Sequence, residues 1–68
     1  MTAAARYALR IETNDGTLED PFHHVARKDW AISFAKEAAK NCSDPEAARV
    51  HVDDTRTDQG IFNVEVKA

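Results

Sequence analysis

The sequence predicts an α+β fold: a four-stranded antiparallel sheet of two β-hairpins, with one α-helix packed on one face, in the order ββαββ. Three observations lead to this fold class. Apolar and polar residues alternate over 6–12, 49–53 and 61–67, as in half-buried strands. Residues 28–41 are rich in alanine and contain neither glycine nor proline, which favours a helix. Turn-forming residues separate these segments, so one sheet with one covering helix is the simplest arrangement.

The first hairpin is predicted near the N-terminus. Its first strand, 6–12, runs into Thr-Asn-Asp-Gly at 13–16, a combination typical of a tight turn. We expect the returning strand, 22–26, to be short and to lie at the edge of the sheet, because Pro21 has no amide to donate.

The segment 28–41 predicts a helix of about three to four turns. Asp29 near its start and Lys40 near its end suit the helix dipole. On a helical wheel, a stripe of mostly small apolar side chains would lie close to the sheet: Ala31, Ile32, Ala35, Ala38, Ala39 and Cys42. Beyond the helix, Asp44 and Pro45 are predicted to open one further helical turn, with the aspartate as its cap.

The second hairpin is predicted from strands at 49–53 and 61–67, joined by a polar connection, 54–60, that ends in glycine. Both glycines of the chain, Gly16 and Gly60, are interpreted as turn residues. The two hairpins and the helix together predict a core: Tyr7, Leu9, Ile11, Ala31, Ile32, Ala35, Ala38, Val50, Val52, Phe62, Val64 and Val66.

The other sheet face is expected to carry charged and polar residues: Arg6, Arg10, Glu12, His51, Asp53, Asn63, Glu65 and Lys67. Because both signs of charge lie in neighbouring rows, we expect pairing across strands and solvation rather than ligand binding.

Composition and charge exclude several classes of protein. Nine Lys and Arg against twelve Asp and Glu leave a net charge of -3, and the basic residues are scattered, so nucleic acid is an unexpected partner. No window approaches the ~18 apolar residues of a membrane span, and the N-terminus does not resemble a signal peptide.

With a single cysteine, Cys42, the chain forms no internal disulfide, so we expect a cytoplasmic protein. We expect one domain, 1–68, with residues 1–5 flexible.

We expect no enzymatic activity, and therefore no catalytic residue, cofactor or small-molecule substrate. Asp53 and Asp54 form an adjacent acidic pair, and they are interpreted as solvated residues at a strand end. Neither Ser33 nor Ser43 lies in the glycine-framed turn that presents a nucleophile. Two glycines are too few for a phosphate-binding loop.

A metal site is also unexpected. His23, His24, His51 and Cys42 are residue types that bind zinc, but no paired Cys-x-x-Cys motif accompanies them. His23 and His24 would point to opposite faces of a strand and so could not easily share one ion. Cys42 would lie on the apolar helix face and pack as a small hydrophobic residue.

Two aromatic residues lie outside the apolar stripe, on one side of the predicted helix. Phe34 and Trp30 lie roughly 100° and 140° from its centre, next to Glu37. One interpretation is that Trp30 covers the short second strand or the sheet edge. The other is that Trp30, Phe34 and Glu37 form a protein-binding surface, because tryptophan is enriched at the energetic centres of interfaces. Such a surface would serve self-association or a foreign partner.

Residues 48–57, Ala-Arg-Val-His-Val-Asp-Asp-Thr-Arg-Thr, follow an alanine-rich helix and precede Gly60 and Phe62. This pattern resembles small uncharacterised strand-strand-helix-strand-strand accessory proteins of bacteria and their phages. The resemblance covers residues 7–66 as a series of strands, helix and turns, and it carries over no functional residue. It implies a compact accessory or regulatory protein, and some phage proteins of this size and topology bind and block a host protein.

These observations predict a non-enzymatic accessory or inhibitory protein, from a bacterium or a phage, that binds another protein or a second copy of itself. One alternative is a dimeric nucleic-acid-associated regulator whose combined surface gathers four cationic residues: Arg6, Arg10, Arg27 and Lys28. A structural homo-oligomer is another. An acidic mimic of nucleic acid is disfavoured, because a net charge of -3 is modest and the two signs are interspersed.

Overall fold

The computed structural model describes residues 5–66 and confirms the predicted fold class. Five elements follow one another along the chain: β1 (Tyr7–Thr13), β2 (His23–Val25), α1 (Lys28–Asn41), β3 (Ala47–Asp54) and β4 (Gln59–Glu65). The strands form one antiparallel sheet in the order β2-β1-β3-β4, so β1 and β3 are central and β2 and β4 are its edges. The helix packs across one face and contacts every strand.

Helix α1 has the predicted bounds because its residues are strong helix formers without a breaker. Asp29 lies in the first turn and Lys40 in the last, where each charge complements the helix dipole. The residues buried against the sheet are alanines spaced about one turn apart: Ala31, Ala35 and Ala39. Because their side chains are small, they allow close packing of the helix on the sheet.

The centre of the core lies on the two inner strands. Leu9, Val50 and Val52 have no exposed surface, and Leu9 is paired with Val52 across β1 and β3. Further apolar residues pack against this centre and are partly buried: Ile11, Ala38, Ile61, Phe62, Val64 and Val66. Val25 and Ile32 differ from the prediction. Val25 is buried because it pairs with Tyr7 on the inner face, whereas Ile32 is only half-buried and lies outside this core.

The first hairpin has the predicted turn and a shorter second strand. Gly16 adopts a φ of 87°, which glycine reaches without steric cost, and its amide donates to the Thr13 carbonyl at 2.9 Å. The ladder resumes briefly at a bridge between Glu12 and Leu18 and is then interrupted around Pro21. Strand β2 consequently contains three residues, fewer than the predicted 22–26.

The further helical turn predicted at Asp44 and Pro45 is wrong. The Asp44 side chain instead accepts a hydrogen bond from the Glu46 amide at 2.9 Å, and the Ala47 amide donates to the Asp44 carbonyl at 3.2 Å. The chain leaves this turn extended, because Ala47 already pairs with Thr13. An aspartate that could cap a helix caps a turn here, since the strand begins two residues before the predicted position.

The interpretation of Gly60 as a turn residue is also wrong. Gly60 lies in β4 opposite Asp53, and the positive φ of this connection, 57°, belongs to Asp58. Aspartate tolerates the left-handed region because its short side chain can hydrogen-bond locally. The expected position of Lys67 on the outer face, and the expected flexibility of residues 1–4, lie outside the described residues.

Candidate functional site

The candidate binding surface is one side of helix α1, which we call the aromatic flank and define as Trp30, Phe34 and Glu37. Trp30 and Phe34 lie one turn apart and therefore neighbour each other on the helix surface. Trp30 is 53% exposed and Phe34 is 47% exposed, and Glu37 is exposed one turn further along. The helix thus brings together all three residues that the sequence predicted for protein binding.

Each aromatic ring is supported by one polar neighbour. The His23 and Phe34 rings meet edge to face with their centroids 5.4 Å apart. The Arg27 guanidinium lies 5.2 Å from the centre of the Trp30 ring. Arg27 is held in turn by Asp29, at 3.2 Å. These contacts orient the rings but leave about half of each exposed.

The aromatic flank lies on the side of the helix that faces the β2 edge of the sheet. The contact of Phe34 with His23 shows this, because His23 belongs to β2. Arg27 stacks on the indole of Trp30, and half of the residue remains exposed. That Trp30 covers β2 or the sheet edge stays a prediction. Phe22, directly before β2 in the chain, is also exposed, at 51%.

The outer face of the sheet carries ion pairs that cross between strands, as expected. Arg10 lies 3.6 Å from Asp53, and its Nε donates to the Glu19 carbonyl at 2.8 Å. His51 Nε2 lies 2.6 Å from Glu12 Oε1. Further along, Arg49 binds the side chains of its cross-strand neighbours Asn63 and Glu65, at 2.9 and 3.2 Å. These contacts satisfy the charged groups of this face within the protein.

Asp54 is not the solvated turn residue that the sequence suggested. It is 6% exposed and lies on the inner face, in register with Tyr7. Arg6 binds it through two parallel hydrogen bonds, Nε to Oδ1 at 2.9 Å and Nη2 to Oδ2 at 2.7 Å. The Arg56 amide donates to Oδ1 at 3.0 Å. The prediction that Arg6 lies among the charges of the outer face is therefore wrong. Its salt bridge with Asp54 lies at one end of the core.

The bonds from Arg6 lower the pKa of Asp54 to about 2, because they favour its charged form. Sequence reasoning missed the pair, although a signal for it was present. Asp54 continues the inward alternation of Val50 and Val52, so the period of the strand places its carboxylate on the buried face. A buried carboxylate needs a cation, and Arg6 is one residue from the strand that pairs with it.

The residue types that could bind metal are separated by the fold. His23 contacts Phe34 on the helix side, His51 is bound to Glu12 on the outer face, and Cys42 is half-buried at the end of the helix. Between residues 5 and 66, no three histidine, cysteine or acidic side chains lie close enough together to hold an ion. Over the same residues, no helix is both long and apolar enough to cross a membrane.

A polar depression of about 420 Å³ beside the first turn is explained by the turn itself. It is lined by Thr13, Asn14, Asp15, Thr17, Glu19 and Glu46. Asp15 accepts hydrogen bonds from the Thr13 hydroxyl and from the Thr17 amide, and these bonds lower its pKa. The carboxylate thus stabilises the turn.

Comparison with protein-family models, with curated proteins and with solved structures finds no match to this chain. The resemblance to small bacterial and phage accessory proteins stays a prediction from the pattern of elements. The function therefore has to be argued from the surfaces of the molecule.

Proposed function

We propose that this chain is a non-enzymatic accessory or inhibitory protein, of bacterial or phage origin, that binds another protein through the aromatic flank. The observation that carries the proposal is the exposure of Trp30 and Phe34, 53% and 47%, side by side on one helix. Covering a large apolar side chain contributes about 1.5–3 kcal/mol relative to leaving it exposed. A partner that covers both rings would gain from each of them, with Glu37 as a polar contact at the rim.

The rigidity of the flank supports the same proposal. Helix α1 is fixed to the sheet by its buried alanines, and the two rings are already oriented by His23 and Arg27. Binding would therefore cost little side-chain entropy, which is one of the main terms that oppose association. Tryptophan and arginine are also the residue types most enriched among those that dominate binding energy, and here they are stacked on one another.

The alternative of a nucleic-acid regulator receives less support. Of its four cationic residues, Arg6 is bound to Asp54, Arg10 to Asp53 and Arg27 to Asp29. Side chains already neutralised by carboxylates release few counterions from a phosphate backbone. A mobility shift of DNA or RNA by this protein that weakens steeply with added salt would revive the alternative.

The proposal is tested by affinity capture with the tagged full chain and two variants. We expect Trp30→Ala combined with Phe34→Ala to lose a specific protein that the unmodified chain retains. The matched control is Leu18→Ala, which removes a comparably exposed apolar side chain, 44%, from the first hairpin. The same proteins recovered with all three chains would contradict a role for the flank.

Sedimentation equilibrium over a wide concentration range identifies the kind of partner. A dimer that Trp30→Ala dissociates means that the flank binds a second copy of this chain. A monomer at every concentration excludes a second copy, so the flank is then either covered locally or free for a foreign protein, which the capture experiment must recover. If Trp30→Ala does not affect a dimer, the two copies bind through another surface, and the flank remains available to a foreign partner.

A further inference from the structure

Strand β4 forms the second edge of the sheet, and its backbone has hydrogen-bonding groups that no strand within residues 5–66 pairs. The Val66 amide donates to the Ala48 carbonyl at 2.9 Å, and the register continues with Val64 opposite Val50. In an antiparallel ladder, hydrogen-bonded and non-hydrogen-bonded pairs alternate. Val64 and Val66 therefore belong to hydrogen-bonded pairs with β3, whereas Asn63 and Glu65 belong to the pairs between them. The backbone amide and carbonyl groups of Asn63 and Glu65 consequently point away from β3. They offer two successive positions at which another strand could be added.

The other edge, β2, offers much less. The Thr55 amide donates to the Arg6 carbonyl, so Arg6 and every second residue after it in β1 bond to β3. The residues between them, which lie on the inner face, direct their backbone groups toward β2. Within the three residues of β2, only His24 is left to point its backbone groups outward. Pro21, shortly before β2, cannot donate at all. Of the two edges, β4 is the one built to accept a strand.

A groove of about 320 Å³ runs beside β4, between the strand and helix α1. It is lined by Lys36, Ala39, Lys40, Val64 and Glu65. Ala39 and Val64 give it an apolar floor, whereas the two lysines lie one turn apart along its helix side. Lys36 Nζ lies 6.0 Å from the centre of the Phe62 ring, so its ammonium group lies over the inner face of β4.

The charge of the groove indicates its occupant. Among residues 5–66, neither Lys36 nor Lys40 takes part in an ion pair, in contrast to the arginines of the sheet. The groove carboxylate, Glu65, is already bound by Arg49 at 3.2 Å. Two unpaired ammonium groups beside unpaired backbone amides favour an extended segment that carries carboxylates.

We propose that the β4 edge accepts an extended acidic segment of another protein, which adds a fifth strand to the sheet and pairs its carboxylates with Lys36 and Lys40. Its backbone bonds to Asn63 and Glu65, and the alternate side chains that face helix α1, the carboxylates, reach Lys36 and Lys40 across the groove. This surface is distinct from the aromatic flank, because it lies at the opposite edge of the sheet.

A second copy of this chain is the less favourable occupant. Antiparallel pairing of two β4 edges would place a two-fold axis perpendicular to the sheet, with both helices on the same face. The lysine-bearing sides of the two helices would then face each other, and like charges would oppose the pairing. An acidic segment meets no such repulsion.

The test uses the full chain labelled with ¹⁵N and a capped peptide of about seven residues, one strand in length, that alternates valine with glutamate. We expect the amide resonances of Asn63 and Glu65 to shift on titration and their hydrogen exchange to slow. A peptide that alternates valine with lysine is the matched probe and should bind more weakly. The Trp30→Ala, Phe34→Ala chain should bind the acidic peptide normally, which separates this proposal from that of the flank.

Charge reversal in the protein completes the test. Lys36→Glu with Lys40→Glu should weaken binding of the acidic peptide by about tenfold or more, since two attractions become repulsions. Lys28→Glu, an exposed lysine at the other end of the helix, is the matched control and should change little. Equal binding of both peptides, or no change at Asn63 and Glu65 at millimolar peptide, would overturn the proposal. Shifts of these amides that depend on protein concentration alone would assign the edge to a second copy instead.

Discussion

Asp54 and Arg6 show how one pair of residues closes an end of the core. The period of β3 turns the Asp54 carboxylate inward, where an unpaired charge would be costly. Two parallel hydrogen bonds from Arg6 satisfy it, and the Arg6 carbonyl accepts from the Thr55 amide at 2.9 Å. The pair therefore joins the start of β1 to the end of β3, which are far apart in the chain.

The Arg6–Asp54 pair predicts a large effect of a small substitution. Asp54→Asn should lower the free energy of unfolding by clearly more than Asp29→Asn does, as measured by urea denaturation. Asn cannot accept two charge-assisted bonds, and the Arg6 charge would lose its partner. The Arg27–Asp29 pair is the control because both of its side chains are more than half exposed, and such pairs contribute little. Equal losses in the two variants would show that the Asp54 pair is no more important than a surface pair.

The lowered pKa of Asp54 predicts a specific dependence on pH. Folding moves this pKa from an ordinary 3.8 to about 2. The unfolded chain therefore binds the proton first, so the stabilisation is complete above about pH 5 and is lost as the pH falls toward 2. The difference in unfolding free energy between the unmodified chain and Asp54→Asn should narrow over this range. Denaturation curves that keep a constant separation from pH 5 to pH 2 would contradict the assignment.

The two glycines predict losses of stability of different size for the same substitution. Gly16→Ala should destabilise the protein by about 1 kcal/mol, because a φ of 87° is strained for any residue with a Cβ. Gly60→Ala should have a smaller effect, because its added Cβ would make an ordinary contact with Asp53 Oδ1 at 3.5 Å. Thermal unfolding of both variants checks this, and a larger loss for Gly60→Ala would be inconsistent with the described backbone.

At the scale of elements, helix α1 organises the molecule because its three sides differ. Its buried side consists of alanines, its β2 side carries Trp30 and Phe34, and its β4 side carries Lys36 and Lys40. On a helical wheel the aromatic and lysine residues stand at about equal angles, roughly 100° and 140°, on either side of the stripe. One short helix thus places aromatic side chains near the β2 edge of the sheet and lysine side chains near the β4 edge.

The alanine stripe predicts that the helix will not tolerate larger buried residues. Ala35 has no exposed surface, so Ala35→Leu should force the helix away from the sheet and lower stability by about 1–3 kcal/mol. Ser33→Ala, on the exposed side of the same helix, should change stability by less than about 0.5 kcal/mol. Chemical denaturation of the two variants compares them directly. A neutral Ala35→Leu would show that the helix is more loosely packed than described.

The elements differed in how well the sequence alone predicted them, and the reasons are physical. Helix α1 was predicted with its observed bounds because helix propensity acts locally. The turn at Asp44 was mistaken for a helix start because aspartate followed by proline suits both, and only the pairing of Ala47 with Thr13 decides between them. Gly60 was likewise mistaken for a turn residue because its pairing with Asp53 depends on the register of the β3–β4 ladder, which is a tertiary feature.

The candidate site was predictable only where its residues belong to one element. Trp30, Phe34 and Glu37 share one helix, so their grouping follows from the helical period alone. The support from His23, the burial of Asp54 and the groove beside β4 all join residues distant in sequence. These features depend on the strand order, which alternation of apolar residues does not determine.

At the scale of the whole molecule, the two proposed surfaces lie at opposite edges of one small sheet. A domain of this length buries only about 60% of its unfolded surface, so partners that cover an edge or a flank would add to its stability. The aromatic flank is apolar and rigid, whereas the β4 groove is cationic and lined by unpaired backbone groups. The two surfaces therefore differ in the chemistry of the partner that each would bind.

The central claim, that the aromatic flank binds a protein, is most directly tested by photo-crosslinking in the cells that produce this chain. Phe34 is replaced by a photoreactive benzoyl-phenylalanine, and exposed Thr57, in the β3–β4 turn, is replaced in a matched control. We predict an adduct of defined mass from position 34, none from position 57, and loss of the adduct when Trp30→Ala is added. No adduct from position 34, or equal adducts from both positions, would contradict the account.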